Sequence, residues 1–82
     1  MTKEKNEYDY SELEKIIEME GYNQGTLAEK IGIKRSLLNQ KLNNKTPFKQ
    51  REILDIVSTL NIDSDKVKQV FFTLNVQKTE QI

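Results

Sequence analysis

The sequence predicts an all-α domain of five short helices. Three observations carry this. Apolar residues recur at three- and four-residue spacing through most of the chain. Asn, Asp or Ser precedes several of these stretches, and Gly or Asn follows them, as at helix ends. The length, 82 residues, suits one small domain with one thin core.

The first helix reads as about residues 10–20. Asp9 is placed to cap it, with Glu12 completing a capping box; Ser11 with Glu14 offers the same pattern two residues on. Tyr10, Leu13, Ile16 and Ile17, with Met19 or Glu20, form its inward stripe, and Gly21 turns the chain out. A second helix, about 24–31, follows Asn23 as its cap. Leu27, Ala28 and Ile31 are its apolar face, and Gly32 breaks it.

A third helix covers about 35–43. Leu38 and Leu42 are neighbours on one face; Lys34, Arg35, Ser36, Asn39, Gln40 and Asn43 occupy the other. Residues 43–47 are a loop, with Pro47 limiting any helix before it. A fourth helix, about 49–60, has a broad buried stripe of Ile53, Leu54, Ile56, Val57 and Leu60, and Asn61 ends it. Asp63 or Ser64 caps a fifth, about 64–72, with Val67, Val70 and Phe71 inward. Phe72, Leu74 and Val76 then alternate, which makes a candidate short C-terminal strand. The expected layout is a frayed arm over 1–9, the helical domain over 10–72, and a tail over 73–82 that is a candidate dimerisation segment.

Thirteen basic and thirteen acidic residues give a net charge of zero, and that average hides a pattern. Residues 1–29 hold three basic and eight acidic residues. Residues 30–51 hold Lys30, Lys34, Arg35, Lys41, Lys45, Lys49 and Arg51 and no acid at all. Residues 52–82 return to three basic and five acidic. An acid-free basic stretch in an otherwise acidic chain is an anion-seeking surface.

The chain has no His and no Cys. Zinc, haem and iron–sulfur sites lose their usual ligands, and a Ser nucleophile lacks its imidazole base. Neither an enzyme nor a cofactor is expected, nor a small-molecule substrate. Asp63, Ser64 and Asp65 suggest calcium only at first sight, because Val67 and Lys68 stand where a further oxygen ligand and a Gly are needed. No apolar run approaches membrane-spanning length and the start has no hydrophobic segment, so no membrane contact and a cytoplasmic location are expected. The aromatics Tyr8, Tyr10, Phe48, Phe71 and Phe72 are scattered, with core or surface packing expected and no base-stacking platform.

Helices two and three, joined across Gly32 and Ile33, have the spacing of a helix-turn-helix. The run from Gln24 through Leu27, Ala28, Ile31, Gly32 and Ile33 to Gln40 resembles the helix-turn-helix of the Cro/CI family of phage-type repressors. The later run from Lys41 to Phe48, followed by Glu52, Ile53 and Leu54, looks like a small branch of phage regulators of this fold. The resemblance covers roughly residues 10–72 and implies a lambda-repressor-like domain. In it a small Ala28 lets the two helices cross, Gly32 turns between them, and helix three faces outward.

By matching position, the resemblance places base-edge contacts on Lys34, Arg35, Ser36, Asn39 and Gln40. Arg35 has the geometry for guanine O6 and N7, and Gln40 for adenine. Gln24 matches a phosphate-touching position at a helix N-terminus. Asn43, Asn44, Lys45 and Lys49 fit phosphate contacts from the following loop. Three departures stand out. Lys34 replaces a common capping Ser or Thr, and Lys41 replaces an aliphatic, with Leu42 taking over the packing. Leu37 borders the contact face, as core cover or as a contact to a thymine methyl.

The function implied is a sequence-specific transcriptional regulator, a phage or prophage repressor that binds a palindromic operator in double-stranded DNA as a homodimer. The alternative is a protein–protein interaction module, an antirepressor or adaptor, on the same helix-turn-helix fold. Zero net charge and an acidic first helix favour that alternative.

Overall fold

The computed structural model describes residues 7–74. It has five α-helices, with no strand among the described residues. They are α1 (Ser11–Met19), α2 (Gln24–Ile31), α3 (Arg35–Leu42), α4 (Gln50–Leu60) and α5 (Val67–Phe71). A single 3₁₀ turn, Ser64–Lys66, leads into α5, where the sequence predicts one continuous helix. No described helix is long and apolar enough to cross a membrane.

The core is built from the predicted stripes. Leu13 and Ile17 of α1, Leu27, Ala28 and Ile31 of α2, Leu38 and Leu42 of α3, Ile56 and Leu60 of α4, and Val70 and Phe71 of α5 are all buried. Burying each large aliphatic side chain contributes about 1.5–3 kcal/mol. α2 packs on α3 and α4, while α1 packs on α5. Leu54 departs from its expected place and is 61% exposed. With Ile56 and Leu60 defining the inward direction of α4, position 54 lies two residues off that stripe and faces out. Met19, at the end of α1, is also exposed.

Local chemistry explains the helix ends. Asn23 Oδ1 accepts from the Thr26 N–H at 2.9 Å, and Thr26 Oγ1 accepts from the Asn23 N–H at 2.9 Å, a reciprocal cap that starts α2. Gly32 has φ +79°, and the Ile33 N–H reaches back to the Ala28 carbonyl at 3.0 Å, closing α2 in a left-handed turn. Asn61 ends α4 at φ +56°. Asp9 acts differently from expectation. Tyr10 is the cap residue, and Asp9 Oδ1 accepts from the N–H and hydroxyl of Ser11, with no bond to Glu12. The Ser11 side-chain and backbone bonds hold the Asp9 carboxyl below its usual range.

Both termini of the described chain are held. The Tyr8 backbone pairs with Leu74 in one antiparallel bridge, and the Asp9 N–H donates to the Thr73 carbonyl at 2.8 Å. The frayed arm expected over 1–9 is therefore replaced by a fixed segment at Tyr8 and Asp9; the rest of that expectation, over 1–6, lies outside the described residues. Among the described residues, the candidate C-terminal strand is that single bridge at Leu74. Val76 and the tail from 75 lie outside the described residues. The aromatics, scattered in sequence, meet in space. Phe48 stands edge-to-face against Tyr10 and Phe71, with ring centroids 5.3 and 5.6 Å apart. Burial raises the Tyr10 hydroxyl above its ordinary pKa, with Tyr8 adding to it.

Candidate nucleic-acid interface

Helix α3 is short and polar, and its two faces have opposite fates. Leu38, Lys41 and Leu42 are buried; Arg35, Ser36, Asn39 and Gln40 are exposed. Lys34 precedes the helix in an extended conformation, exposed and without a side-chain cap, as its replacement of Ser or Thr implies. Leu37 is half-buried at the border. Arg35, Ser36, Asn39 and Gln40 line one shallow depression with Gln24 of α2. So α2 and α3 together bring five of the predicted residues onto one surface.

Side-chain amides order part of that surface. Asn39 Nδ2 donates to Gln24 Oε1 at 3.1 Å, which ties the start of α2 to the middle of α3. Asn43 Nδ2 donates to the Asn39 carbonyl at 2.9 Å and to Asn39 Oδ1 at 3.2 Å. Asn39 is thus held in one orientation, with part of its bonding capacity engaged inside the protein. Arg35 lies across the start of α2. A Cβ at Gly25 would make ordinary contact with Arg35 Cδ at 3.7 Å and a tight one with the capping Asn23 Oδ1 at 3.3 Å.

The loop after α3 divides the remaining predicted residues. Lys45 and Lys49 are exposed, and the Lys45 N–H donates to the Gln40 carbonyl at 2.9 Å. Asn43 is exposed at the helix end. Asn44 leaves the set of phosphate contacts. Its backbone is left-handed at φ +62°, and its amide donates to the Tyr8 carbonyl and accepts from the Tyr8 N–H, both at 2.9 Å. Both ends of the side-chain amide are engaged inside the fold.

Six of the seven cations of the acid-free stretch, Lys30, Lys34, Arg35, Lys45, Lys49 and Arg51, are exposed. The seventh, Lys41, is 2% exposed. Its ammonium lies 2.8 Å from Glu52 Oε1 and donates to the Pro47 carbonyl at 2.9 Å. Glu52 also accepts from the Lys49 N–H at 2.8 Å. Burial alone would raise the Glu52 carboxyl, but the Lys41 and Lys49 hydrogen bonds and charges outweigh it and hold it below its usual range. Lys41 is therefore a core residue and no part of the basic surface. The sequence signal was present: a lysine at an aliphatic position needs a partner if buried. Its partner, eleven residues on, lies in the next helix across a loop, where spacing within one helix gives no guide.

The profile of the family described as "Protein of unknown function (DUF739)" matches residues 6–74. No curated protein matches the chain. Among solved structures, the chain is similar to the solution structure of the modulator of repression (MOR) of the temperate bacteriophage TP901-1 from Lactococcus lactis. The identity is 32%, over 79% of this chain and 88% of that one, with a TM-score of 0.68.

Proposed function

The chain belongs to the DUF739 family, and we propose from that premise that it is a phage-type regulatory protein, a modulator of a repression switch, that works by binding and not by catalysis. The relative of known structure is named a modulator of repression. A chain without His or Cys suits a binding role.

The geometry favours double-stranded DNA as the partner of the α3 ridge. One observation carries this: Arg35, Ser36 and Gln40 stand exposed on the outward face of a helix-turn-helix, Lys34, Lys45 and Lys49 are exposed too, and there is no acid between residues 30 and 51. That ridge presents a bidentate donor, an amide and backbone-seeking cations to a major groove. A homodimer on a two-fold operator, its α3 helices about 34 Å apart, is the expected assembly. Leu74 pairs with Tyr8 of its own chain, and the rest of the candidate dimerisation tail, from residue 75, lies outside the described residues. Where phage DNA is read, in the cytoplasm, is where the protein would act.

A second reading has a specific observation behind it. The relative's name speaks of modulating repression, and the acidic run over residues 1–29 suits a basic protein partner such as a repressor. Gel shifts with duplexes selected from a random pool, run with and without a repressor of the same phage, separate the two. A shift by this chain alone supports DNA contact. No shift, with loss of the repressor's own shift, supports the second reading.

A further inference from the structure

We propose that the buried Lys41–Glu52 pair is a positioning device. It sets the α3–α4 loop so that Lys45 and Lys49 stand beside the α3 ridge as backbone-contacting cations. This role rests on the reading of that ridge as a DNA-contacting surface.

Stability alone does not call for the pair. Its side chains are only 3% and 10% exposed. Taking two charges out of water offsets most of their attraction, and well-packed apolar residues of similar volume commonly do as well or better. Geometry gives the pair something an apolar replacement lacks. Lys41 lies in the last turn of α3, and its ammonium holds both Glu52 Oε1 and the Pro47 carbonyl. The same Glu52 oxygen accepts the Lys49 N–H, at the start of α4. One side-chain pair therefore joins the end of α3, the middle of the loop and the start of the next helix. A methionine and a leucine could fill the space, but could neither donate to Pro47 nor accept from Lys49.

Those anchors sit between the two exposed cations. Lys45 is held at one end of the loop through its N–H bond to Gln40, and Lys49 at the other through Glu52. Between them, among the described residues, one side-chain hydrogen bond reaches the loop backbone, from Lys41 to Pro47. Release of that bond leaves the separation of the two ammonium groups free to vary, while Arg35 and Gln40 keep their places on the helix.

The test uses the full chain with Lys41→Met/Glu52→Leu, beside Glu52→Gln, which keeps an acceptor for both donors. The double variant is expected to fold, with its melting temperature near that of the parent. Its backbone amide signals over 45–49 should move, while those of the α2 and α3 interiors stay. Affinity for every duplex should fall about tenfold, with a salt slope shallower by about 1–2, since each phosphate contact contributes about 0.9. The preference for a selected duplex over a scrambled one should not change. Glu52→Gln leaves the Lys41 ammonium without its counter-charge and should lower the melting temperature, but while folded it should keep the parental loop signals and slope. Unmoved signals over 45–49, or a parental slope in the double variant, overturn the inference. So does a double variant that does not fold, because the pair is then a core stabiliser. A parent that binds no duplex overturns the DNA reading alone, and the amide signals then decide the positioning role.

Discussion

Asn44 and Tyr8 stand 36 positions apart and close a two-bond clamp: the Asn44 amide donates to the Tyr8 carbonyl and accepts from the Tyr8 N–H, each at 2.9 Å. Asn44 can do this because its backbone is left-handed, at φ +62°, where asparagine is tolerated better than most residues. The clamp ties the entry to α1 onto the loop that follows α3. With the Tyr8–Leu74 bridge, it gathers both ends of the described chain beside the aromatic cluster.

Removing the clamp should destabilise the fold by two separable amounts. Asn44→Gly keeps the left-handed backbone and loses both bonds, at about 0.5–1.5 kcal/mol for each. Asn44→Ala adds the left-handed strain of a Cβ, a further 1 kcal/mol or so. Urea unfolding of the two variants measures both. Equal stability in Asn44→Ala and the parent would remove the clamp from the account.

Gly32→Ala should cost about 1 kcal/mol for a purely conformational reason. Its φ is +79°, yet a Cβ there meets nothing within 4 Å. Gly32→Asn should therefore cost less than Gly32→Ala. The reverse order in thermal unfolding would point to a packing conflict instead.

The helix-turn-helix was legible because its signals are local. Asn23 and Thr26 cap each other three residues apart, Gly32 marks the turn, and Leu27, Ala28, Ile31, Leu38 and Leu42 are buried as their spacing predicts. The exposed ridge of Arg35, Ser36, Asn39 and Gln40 follows from the same period. What escaped depends on partners far along the chain. Nothing near Asn44 announces Tyr8, and nothing near Lys41 announces Glu52. Leu54 reads as inward in the sequence because four apolar neighbours make the stripe of α4 look wider than the core it covers. The summed charge of the basic stretch does not reveal that Lys41 turns inward.

Breaking the buried ion pair from one side should be far worse than replacing it. Lys41→Met leaves Glu52 buried without its cation and should cost about 3–5 kcal/mol, whereas Lys41→Met/Glu52→Leu should lie near the parent. A double-mutant cycle in urea reads the coupling. Additive losses in the two single variants would contradict it.

The same pair predicts an acid response. The Glu52 carboxyl is held below its ordinary range in the fold, so its contribution to stability is present above the unfolded pKa. That contribution is lost as pH falls through the lowered folded value. Stability of the parent should decline on the acid side of the usual carboxylate range, and Glu52→Gln should flatten that part of the curve. An identical acid limb in both proteins would exclude Glu52 as its source.

The most direct test of the central claim is a duplex titration across a salt series with the parent, Arg35→Ala and Lys45→Ala. The parent should bind a selected duplex with an affinity that falls steeply as salt rises. Arg35→Ala should lose the preference for that duplex, at roughly 1–3 kcal/mol. Lys45→Ala should weaken all duplexes alike. A parent that ignores DNA, or an Arg35→Ala protein that still prefers the selected duplex as the parent does, would contradict the assignment of α3 as the reading helix.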